Sequence, residues 1–177
     1  MSDFTKDDLI NLVKTKPEEF NEWKRGKDNV DLSEVDFSNI ILNGVDFADV
    51  DLNSSSFADS HLTEVSFEAC DLTSVDFTRT NLVECNFSGS LLNGADFSYA
   101  VVSYCNFTEA DMAGCIFQES DLTNSDFSAS DNLSACRFDE ETIWPEQDRL
   151  PEDFDTSYSH DLSSLQDDDD MPVAADY

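Results

Sequence analysis

Basic residues are scarce in this chain: nine Lys and Arg stand against 40 Asp and Glu, for a formal net charge of -31. Phosphate groups repel so acidic a surface, so the composition excludes direct nucleic-acid binding and electrostatic attachment to a membrane. Long apolar runs are also missing, and none approaches the ~20 residues of a membrane-spanning helix. The first residues lack the basic and then apolar pattern of a signal peptide. We therefore expect a cytoplasmic protein.

What the chain does contain is a strict repeat with a spacing of five. Phenylalanine recurs every ten residues at Phe37, Phe47, Phe57, Phe67, Phe77, Phe87, Phe97, Phe107, Phe117 and Phe127. Midway between them lie Leu32, Leu42, Leu52, Leu62, Leu72, Leu82, Leu92, Val102, Met112 and Leu122. The residue two positions before each of these is small or β-branched, and the residue between the two is most often Asp or Asn.

A spacing of five fits neither a helix, with 3.6 residues per turn, nor a plain strand, which alternates every two residues. Within each unit, however, the small and the large residue are two apart, so both face inward from a short extended segment. A turn must then precede the next unit. Units of this kind coil around an axis and bury one continuous core, which predicts a solenoid.

Units such as residues 95–99 (Ala-Asp-Phe-Ser-Tyr) and 110–114 (Ala-Asp-Met-Ala-Gly) resemble the pentapeptide-repeat family, and the similarity runs from about residue 30 to 129. The resemblance implies an all-β solenoid, a right-handed quadrilateral parallel β-helix with four units per coil. The chain would then form about five coils in which residues twenty apart stack on one face. Phe would line two opposite faces and Leu the other two.

Four segments follow from this pattern: an N-terminal helical cap at 1–29, the β-helix at 30–140, a closing segment at 141–155 and an acidic tail at 156–177. The cap has a capping-box pattern at Thr5 and Asp8, and Pro17 begins a second helix. The apolar spacing slips by one residue near Asn132, and a Trp-Pro pair beginning at Trp144 resembles the segment that closes the repeats in family members. We expect the Ser- and Asp-rich tail to be disordered.

Residues with catalytic potential are few or badly placed. The five cysteines, at 70, 85, 105, 115 and 136, all fall on the small inward position, so we expect reduced core residues. The two histidines are not clustered with them, which argues against zinc and against a His-based triad. Five glycines form no phosphate-binding loop. We therefore predict a protein that is not an enzyme and needs no cofactor.

One face of the predicted solenoid differs from the others. The faces centred on Leu32, Phe37 and Phe47 each carry five acidic residues, whereas the face centred on Leu42 carries three. Apolar or aromatic residues replace polar ones there or at its corner, and they form a candidate patch for an unidentified protein partner. The patch consists of Ile41, His61, Val83, Tyr99, Val101 and Tyr104. The alternative is chance substitution on a stable scaffold.

The acidic surface suggests a second function. Residues 30–130 hold eighteen acids against Arg79 alone. Over roughly 24 Å this net charge is comparable to that of duplex DNA, which carries about 14 charges in that length at one per ~1.7 Å. Because some pentapeptide-repeat proteins bind DNA gyrase as DNA mimics, the resemblance allows mimicry toward gyrase or another DNA-binding protein. The candidate acids outside the motif are Glu34, Asp49, Asp59, Glu68, Glu109 and Glu119.

Overall fold

The structure, a computed structural model, describes residues 4–27 and 29–157. Two helices come first, α1 (Lys6–Thr15) and α2 (Pro17–Lys24). The six short strands are β1 (Val30–Asp31), β2 (Ile41–Asn43), β3 (Val50–Asp51), β4 (His61–Thr63), β5 (Asn81–Val83) and β6 (Val101–Ser103). Short 3₁₀ turns follow at Leu133–Ala135 and Gln147–Arg149.

All the strand pairing is parallel, and each residue pairs with the one twenty positions later through most of the repeat. β1 pairs with β3, with Val30 opposite Val50. β2, β4, β5 and β6 form one four-stranded sheet in that order. Isolated bridges continue the same register on the other faces, as from Asp36 to Ser56. The predicted stacking of residues twenty apart is therefore confirmed.

Every fifth residue from Asn29 to Asn124 has a positive φ angle, between 52° and 74°. These left-handed residues are the corners at which the chain turns from one face to the next. Side chains other than Gly, Asn and Asp are disfavoured in this conformation. The repeat thus supplies an extended inward-facing pair and a left-handed corner in each unit, a feature that the apolar spacing did not reveal.

The core consists of two stacks of phenylalanine rings that meet at the centre of the solenoid. All ten repeat phenylalanines have 0% exposure. Within a stack, rings one coil apart are nearly parallel, as for Phe87 and Phe107, whose centroids are 4.8 Å apart. Between stacks the rings meet edge to face, as for Phe77 and Phe87 at 5.7 Å. The two stacks therefore fill the space between opposite faces, as the alternation predicted.

Polar residues on the small inward position are satisfied by backbone carbonyls, in several cases those of the neighbouring coil. The Ser55 hydroxyl donates to the Leu32 carbonyl at 2.9 Å, and the Thr80 hydroxyl donates to the Phe57 carbonyl at 2.9 Å. The Cys70 thiol lies 2.8 Å from the Phe47 carbonyl in the same arrangement. Hydroxyl and thiol groups can therefore occupy the core without an unpaired donor.

The two N-terminal helices pack on the first coil. Thr5 and Asp8 form the predicted capping box of α1, and Pro17 stands at the start of α2. Phe20 is fully buried, and its ring centroid lies 5.6 Å from that of Phe47. The Asn21 amide donates to the Gly44 carbonyl and accepts from the Asp46 amide. Side chains of the helices thus replace hydrogen bonds that a preceding coil would make.

Most of the basic residues in this region are engaged within the fold. Lys6 and Lys24 form ion pairs with Asp31 and Asp46. Lys14 donates to the Asp36 carbonyl, and Lys27 lies over the Trp23 ring at 5.0 Å. These contacts favour a structural role for the basic cluster over a binding site.

At the other end the register changes as the sequence indicated. Asn132 adopts a left-handed conformation, and Ile116 pairs with Arg137, twenty-one residues later. Trp144 packs edge to face on Phe117, Phe138 and Phe154. The described residues extend into the acidic tail as far as Ser157, and the predicted disorder at 158–177 lies outside them.

In the described ranges, the helices are all too short or too polar to cross a membrane.

Candidate interaction surface

The face centred on Leu42, here called the Leu42 face, is formed by the four-stranded sheet of β2, β4, β5 and β6. Its outermost row of side chains is a single column in which each residue pairs with the next one along the solenoid. In order, the column is Ile41, His61, Asn81, Val101, Asp121 and Ile143. Three of the predicted patch residues, Ile41, His61 and Val101, therefore lie on one line.

The apolar members of this column are open to solvent. Ile41 is 82% exposed, Val101 44% and Ile143 54%. His61 is exposed as well, whereas Val83, one row away on the same face, is half-buried. Ile143 was not among the predicted patch residues. The register shift after Asp131 moves it to twenty-two residues beyond Asp121, so a count in twenties could not place it.

The two tyrosines of the predicted patch stand at the corners that border this face. Tyr99 is 53% exposed with φ 61°, and Tyr104 is 62% exposed with φ 57°. Val101 lies between them in the sequence and on the sheet edge of the same coil. The predicted patch therefore forms one surface, in which the column from Ile41 to Ile143 is flanked by the corners at Tyr99 and Tyr104.

An ion pair lies along the Tyr99 corner. Arg79, one coil before Tyr99, donates from Nε and Nη2 to the two carboxylate oxygens of Asp59 at 2.7 and 2.8 Å. The Arg79 hydrogen bond lowers the pKa of Asp59, and the carboxylate raises the pKa of Arg79. Asp59, proposed above as a DNA-mimic acid, thus has its charge paired.

The other candidate mimic acids do not form one ridge. All six are exposed, and Glu34, Asp49, Asp59, Glu109 and Glu119 occupy left-handed corners. Asp49 and Glu109 share a corner row but are separated by three coils, about 14 Å at ~4.8 Å per coil. Glu68 lies on the Phe47 face between corners. These acids are spread around the solenoid, so they do not by themselves reproduce a strand of phosphates.

A denser acidic row exists elsewhere, on the Leu32 face. Its bridges connect Asp31, Asp51, Asp71, Leu91, Asp111 and Asp131 in one column. Each aspartate within the repeat also accepts a hydrogen bond from the backbone N–H two residues later, as Asp51 does from Asn53 at 3.0 Å. These aspartates occupy the Asp or Asn position of the repeat motif, and the structure shows that they stack in one row.

The cysteines are core residues, as predicted. All five are buried and free of disulfide bonds. Burial raises the pKa of Cys70 to about 12 and raises the pKa values of Cys105 and Cys115. A thiol that stays protonated and inaccessible is a poor nucleophile.

Metal sites are equally lacking among residues 4–27 and 29–157, where no group of three or more His, Cys, Asp and Glu side chains could hold an ion. The motif carboxylates lie on a convex surface, each committed to its own turn. The Leu42 face, as far as the described residues show, holds no such group either.

Among solved structures, similar chains include a pentapeptide repeat protein, Rfr23, from the cyanobacterium Cyanothece 51142. It is 17% identical, with 66% of this chain and 88% of that chain covered, at a TM-score of 0.36. A pentapeptide repeat protein of the Arabidopsis thaliana thylakoid lumen is 29% identical, with 62% of this chain and 70% of that chain covered, at a TM-score of 0.30. QnrB1, a plasmid-mediated fluoroquinolone resistance protein, is 17% identical, with 64% of this chain and 81% of that chain covered, at a TM-score of 0.35.

No curated protein matches the sequence. Two family descriptions do match it. The "pentapeptide repeat region" covers residues 28–97, and "pentapeptide repeats (8 copies)" covers 90–128 and 103–140. Together they span the part of the chain with the five-residue spacing, the twenty-residue register and the left-handed corners. This chain belongs to the pentapeptide repeat family.

Proposed function

We propose that this protein is a non-catalytic scaffold that binds a protein partner through the Leu42 face. The observation that carries the proposal is the pair of tyrosines at neighbouring left-handed corners. A bulky side chain in that conformation costs about 1–2 kcal/mol relative to a residue that tolerates it. Tyr99 and Tyr104 are both more than half exposed, so no burial in the core offsets the cost.

The two corner rows that contain the tyrosines also hold residues suited to the conformation, beside Glu64, Arg79, Glu84 and Glu119, which are not. Asn39 occupies the Tyr99 row three coils earlier, and Asn124 occupies the Tyr104 row one coil later. The tyrosines therefore lower stability locally while placing two aromatic rings beside an apolar column. Exposed tyrosine is a frequent anchor in protein interfaces because one large ring buries much area with few rotatable bonds. A role in partner recognition accounts for both facts.

The test is the double variant Tyr99→Asn and Tyr104→Asn, used to capture partners from an extract of the native cells. Because asparagine tolerates the corner conformation, we expect equal or higher thermal stability. Capture of a specific partner should be lost. This combination separates a binding role from a folding role.

The matched control is Ser54→Asn with Ser74→Asn, which introduces the same residue at two corners of the Leu32 face. We expect these changes to leave capture intact. Full retention of every captured partner by the tyrosine variant would exclude the Leu42 face as the binding surface.

A second candidate function is DNA mimicry toward gyrase or another DNA-binding protein. It is favoured by the aspartate column on the Leu32 face, where five of six stacked positions, about 4.8 Å apart, carry a negative charge and Leu91 interrupts them. Asp51→Asn with Asp71→Asn removes two of these charges but keeps the side-chain oxygen that holds each turn. Asp126→Asn, on the Phe47 face, is the control.

Mimicry predicts that the unmodified protein inhibits DNA supercoiling by purified gyrase, or protects the enzyme from a quinolone. The Asp51 and Asp71 changes should weaken the effect and the Asp126 change should not. An absence of any effect at high micromolar protein would contradict gyrase as the target.

In both functions the protein acts as a rod, and we propose the following organisation for it. The helical cap occupies 1–29, a right-handed β-helix of about five coils occupies 30–140, a closing segment occupies 141–155 and an acidic tail occupies 156–177. The contacts of Phe20 and Asn21 with the first coil, and of Trp144 with the last phenylalanines, support capping at both ends. A cytoplasmic location stays a prediction from the sequence.

A further inference from the structure

We propose that the partner of the Leu42 face is a second copy of this chain, packed face to face and antiparallel about a two-fold axis. The inference rests on the proposed function of that face and adds the identity of the partner. The observation behind it is that the residues of the face are complementary to the same residues read in reverse order.

The central column shows this complementarity most clearly. Its six residues, in order along the solenoid, are Ile41, His61, Asn81, Val101, Asp121 and Ile143. In a two-fold interface each residue contacts its counterpart in the reversed column. With the axis between the third and fourth positions, Ile41 faces Ile143 of the second copy and His61 faces Asp121. Asn81 then faces Val101.

Two of these three contacts match in chemistry. Two exposed isoleucines meet at each end of the interface, where they bury apolar surface. Between them an imidazole N–H points at a carboxylate. One oxygen of Asp121 accepts from the Thr123 backbone, and among the described residues the second oxygen has no hydrogen-bond donor. It remains available to a donor on another molecule.

The flanking corners obey the same two-fold relation. Arg79 of one copy faces Tyr99 of the other, which allows a guanidinium to lie against an aromatic ring. Glu84 faces Tyr104, so a carboxylate meets a phenol donor. The like-charge pair is Asp59 with Glu119, and Arg79 already neutralises Asp59 within its own chain. The two aromatic corners that lower monomer stability would thus be buried by the contact.

The same operation on two other faces brings acids together. On the Leu32 face it places Asp31 opposite Asp131 and Asp51 opposite Asp111. On the Phe47 face, Asp46 lies opposite Asp126, at the two ends of that column. Because each chain carries a net charge of -31, a second copy approaches most readily where acids are fewest and an acid meets a donor. The Leu42 face meets both conditions.

The area of the Leu42 face determines how tightly two copies should bind each other. Six rows at ~4.8 Å cover about 24 Å along the axis, and the five residues of each unit span at most roughly 16 Å across it at ~3.3 Å per residue. Two such faces bury on the order of 1,000 Å² in total, at the small end for specific complexes. The dimer should therefore be weak and reversible, with a dissociation constant in the micromolar range.

Sedimentation equilibrium of the full chain from about 1 to 500 μM tests the proposal. We expect a monomer–dimer equilibrium that Ile41→Asp and Ile143→Asp each weaken at least tenfold. His61→Asp should weaken it similarly, because it places an acid opposite Asp121. Adding Asp121→Asn to His61→Asp should restore most of the affinity, since Asn removes the repulsion and keeps the turn to Thr123.

Ser54→Asp is the matched control, because it adds the same charge as His61→Asp on a face outside the contact. We expect it to change the dissociation constant far less. Circular dichroism melts of every variant establish that the fold is retained. A protein that stays monomeric at 500 μM overturns the proposal, as does a dimer indifferent to Ile41→Asp. Failure of Asp121→Asn to rescue His61→Asp also overturns the antiparallel arrangement.

The result of the self-association test can be distinguished from the result of the partner-capture test of the proposed function. A monomeric protein that still loses a captured partner on Tyr99→Asn and Tyr104→Asn leaves the scaffold function intact and removes self-association. A dimer that depends on the Leu42 face, with no other partner captured, identifies the second copy as the partner.

Discussion

Ten aspartates at the second position of the repeat hold the turns of the solenoid. In each case a side-chain oxygen accepts from the backbone N–H two residues later, and Asp76 with Thr78, at 2.9 Å, is representative. Asn86 and Asn106 make the same contact with their side-chain oxygens. The preference for Asp or Asn at this position therefore has a local cause, which is an acceptor on a short side chain.

This cause predicts different effects for two replacements of Asp76. Asp76→Ala removes the acceptor and should lower the free energy of unfolding by about 0.5–1.5 kcal/mol. Asp76→Asn retains an oxygen in the same place and should be close to neutral. Urea unfolding of both variants checks the prediction, and equal destabilisation by Ala and Asn would assign the role to charge instead.

Asp31 is the aspartate whose titration should be most visible. Hydrogen bonds from the Ser33 hydroxyl and backbone, with Lys6 beside them, lower the pKa of Asp31 to about 2. The unfolded pKa is near 3.9. Because the folded value is the lower one, ionised Asp31 stabilises the fold fully above pH 3.9. That contribution is lost as the pH falls toward 2.

The prediction is checked with Asp31→Asn, which cannot titrate. The difference in melting temperature between the unmodified protein and the variant should be constant from pH 7 to about 5 and shrink below pH 4. Other carboxylates titrate in both proteins, so the difference isolates Asp31. A difference that is unchanged at about pH 2 would show that its carboxylate has an ordinary pKa.

The two phenylalanine stacks are the elements that give the solenoid its rigidity. Phe87 contacts Phe67 and Phe107 within its stack, at 4.9 and 4.8 Å, and meets Phe77 and Phe97 across the core. Each ring thus links its own coil to the coils on both sides. Neighbouring coils should therefore unfold together.

Phe87→Ala should cost about 3–5 kcal/mol, because it removes a fully buried ring and leaves a cavity between rigid neighbours. Amide exchange should rise first in the coils that contain Phe67, Phe87 and Phe107. Phe4→Ala is the control, since Phe4 is 41% exposed and lies outside the stacks. A loss of protection confined to the coil of Phe87 would contradict coupling through the stack.

The elements at the two ends differ in how well the sequence predicted them. The capping box and Pro17 identified both helices, because these signals are local. The pairing of Asp121 with Ile143 was not predictable by counting, because two residues are inserted after Asp131. An insertion is visible in a sequence, but the bridge that resumes after it depends on how the chain packs.

On the scale of the whole molecule, the charge of -31 is distributed over surfaces with different roles. Part of it is committed to turns, part stacks in the Leu32 column, and the Leu42 face has the least. Carboxylates on neighbouring coils still repel one another, because the coils are only about 4.8 Å apart. Screening of that repulsion should stabilise the fold.

Raising NaCl from about 10 to 150 mM shortens the Debye length from ~30 to ~8 Å, so we expect the melting temperature to rise by several degrees. Choline chloride at the same ionic strength should have the same effect, because screening does not depend on the cation. A rise with NaCl alone would indicate specific cation binding, and a fall with both would contradict net repulsion.

The family resemblance implied the twenty-residue register, and the sequence by itself determined that the chain coils as a solenoid and which residues face inward. It could do so because a strict spacing of one apolar pair per unit is compatible with few backbone paths. Tertiary structure decided which further outward residue joins the predicted patch and which surface acid is paired. The ion pair of Arg79 with Asp59 and the position of Ile143 both depend on contacts between coils. Such contacts join residues twenty or more apart, so no local pattern in the chain records them.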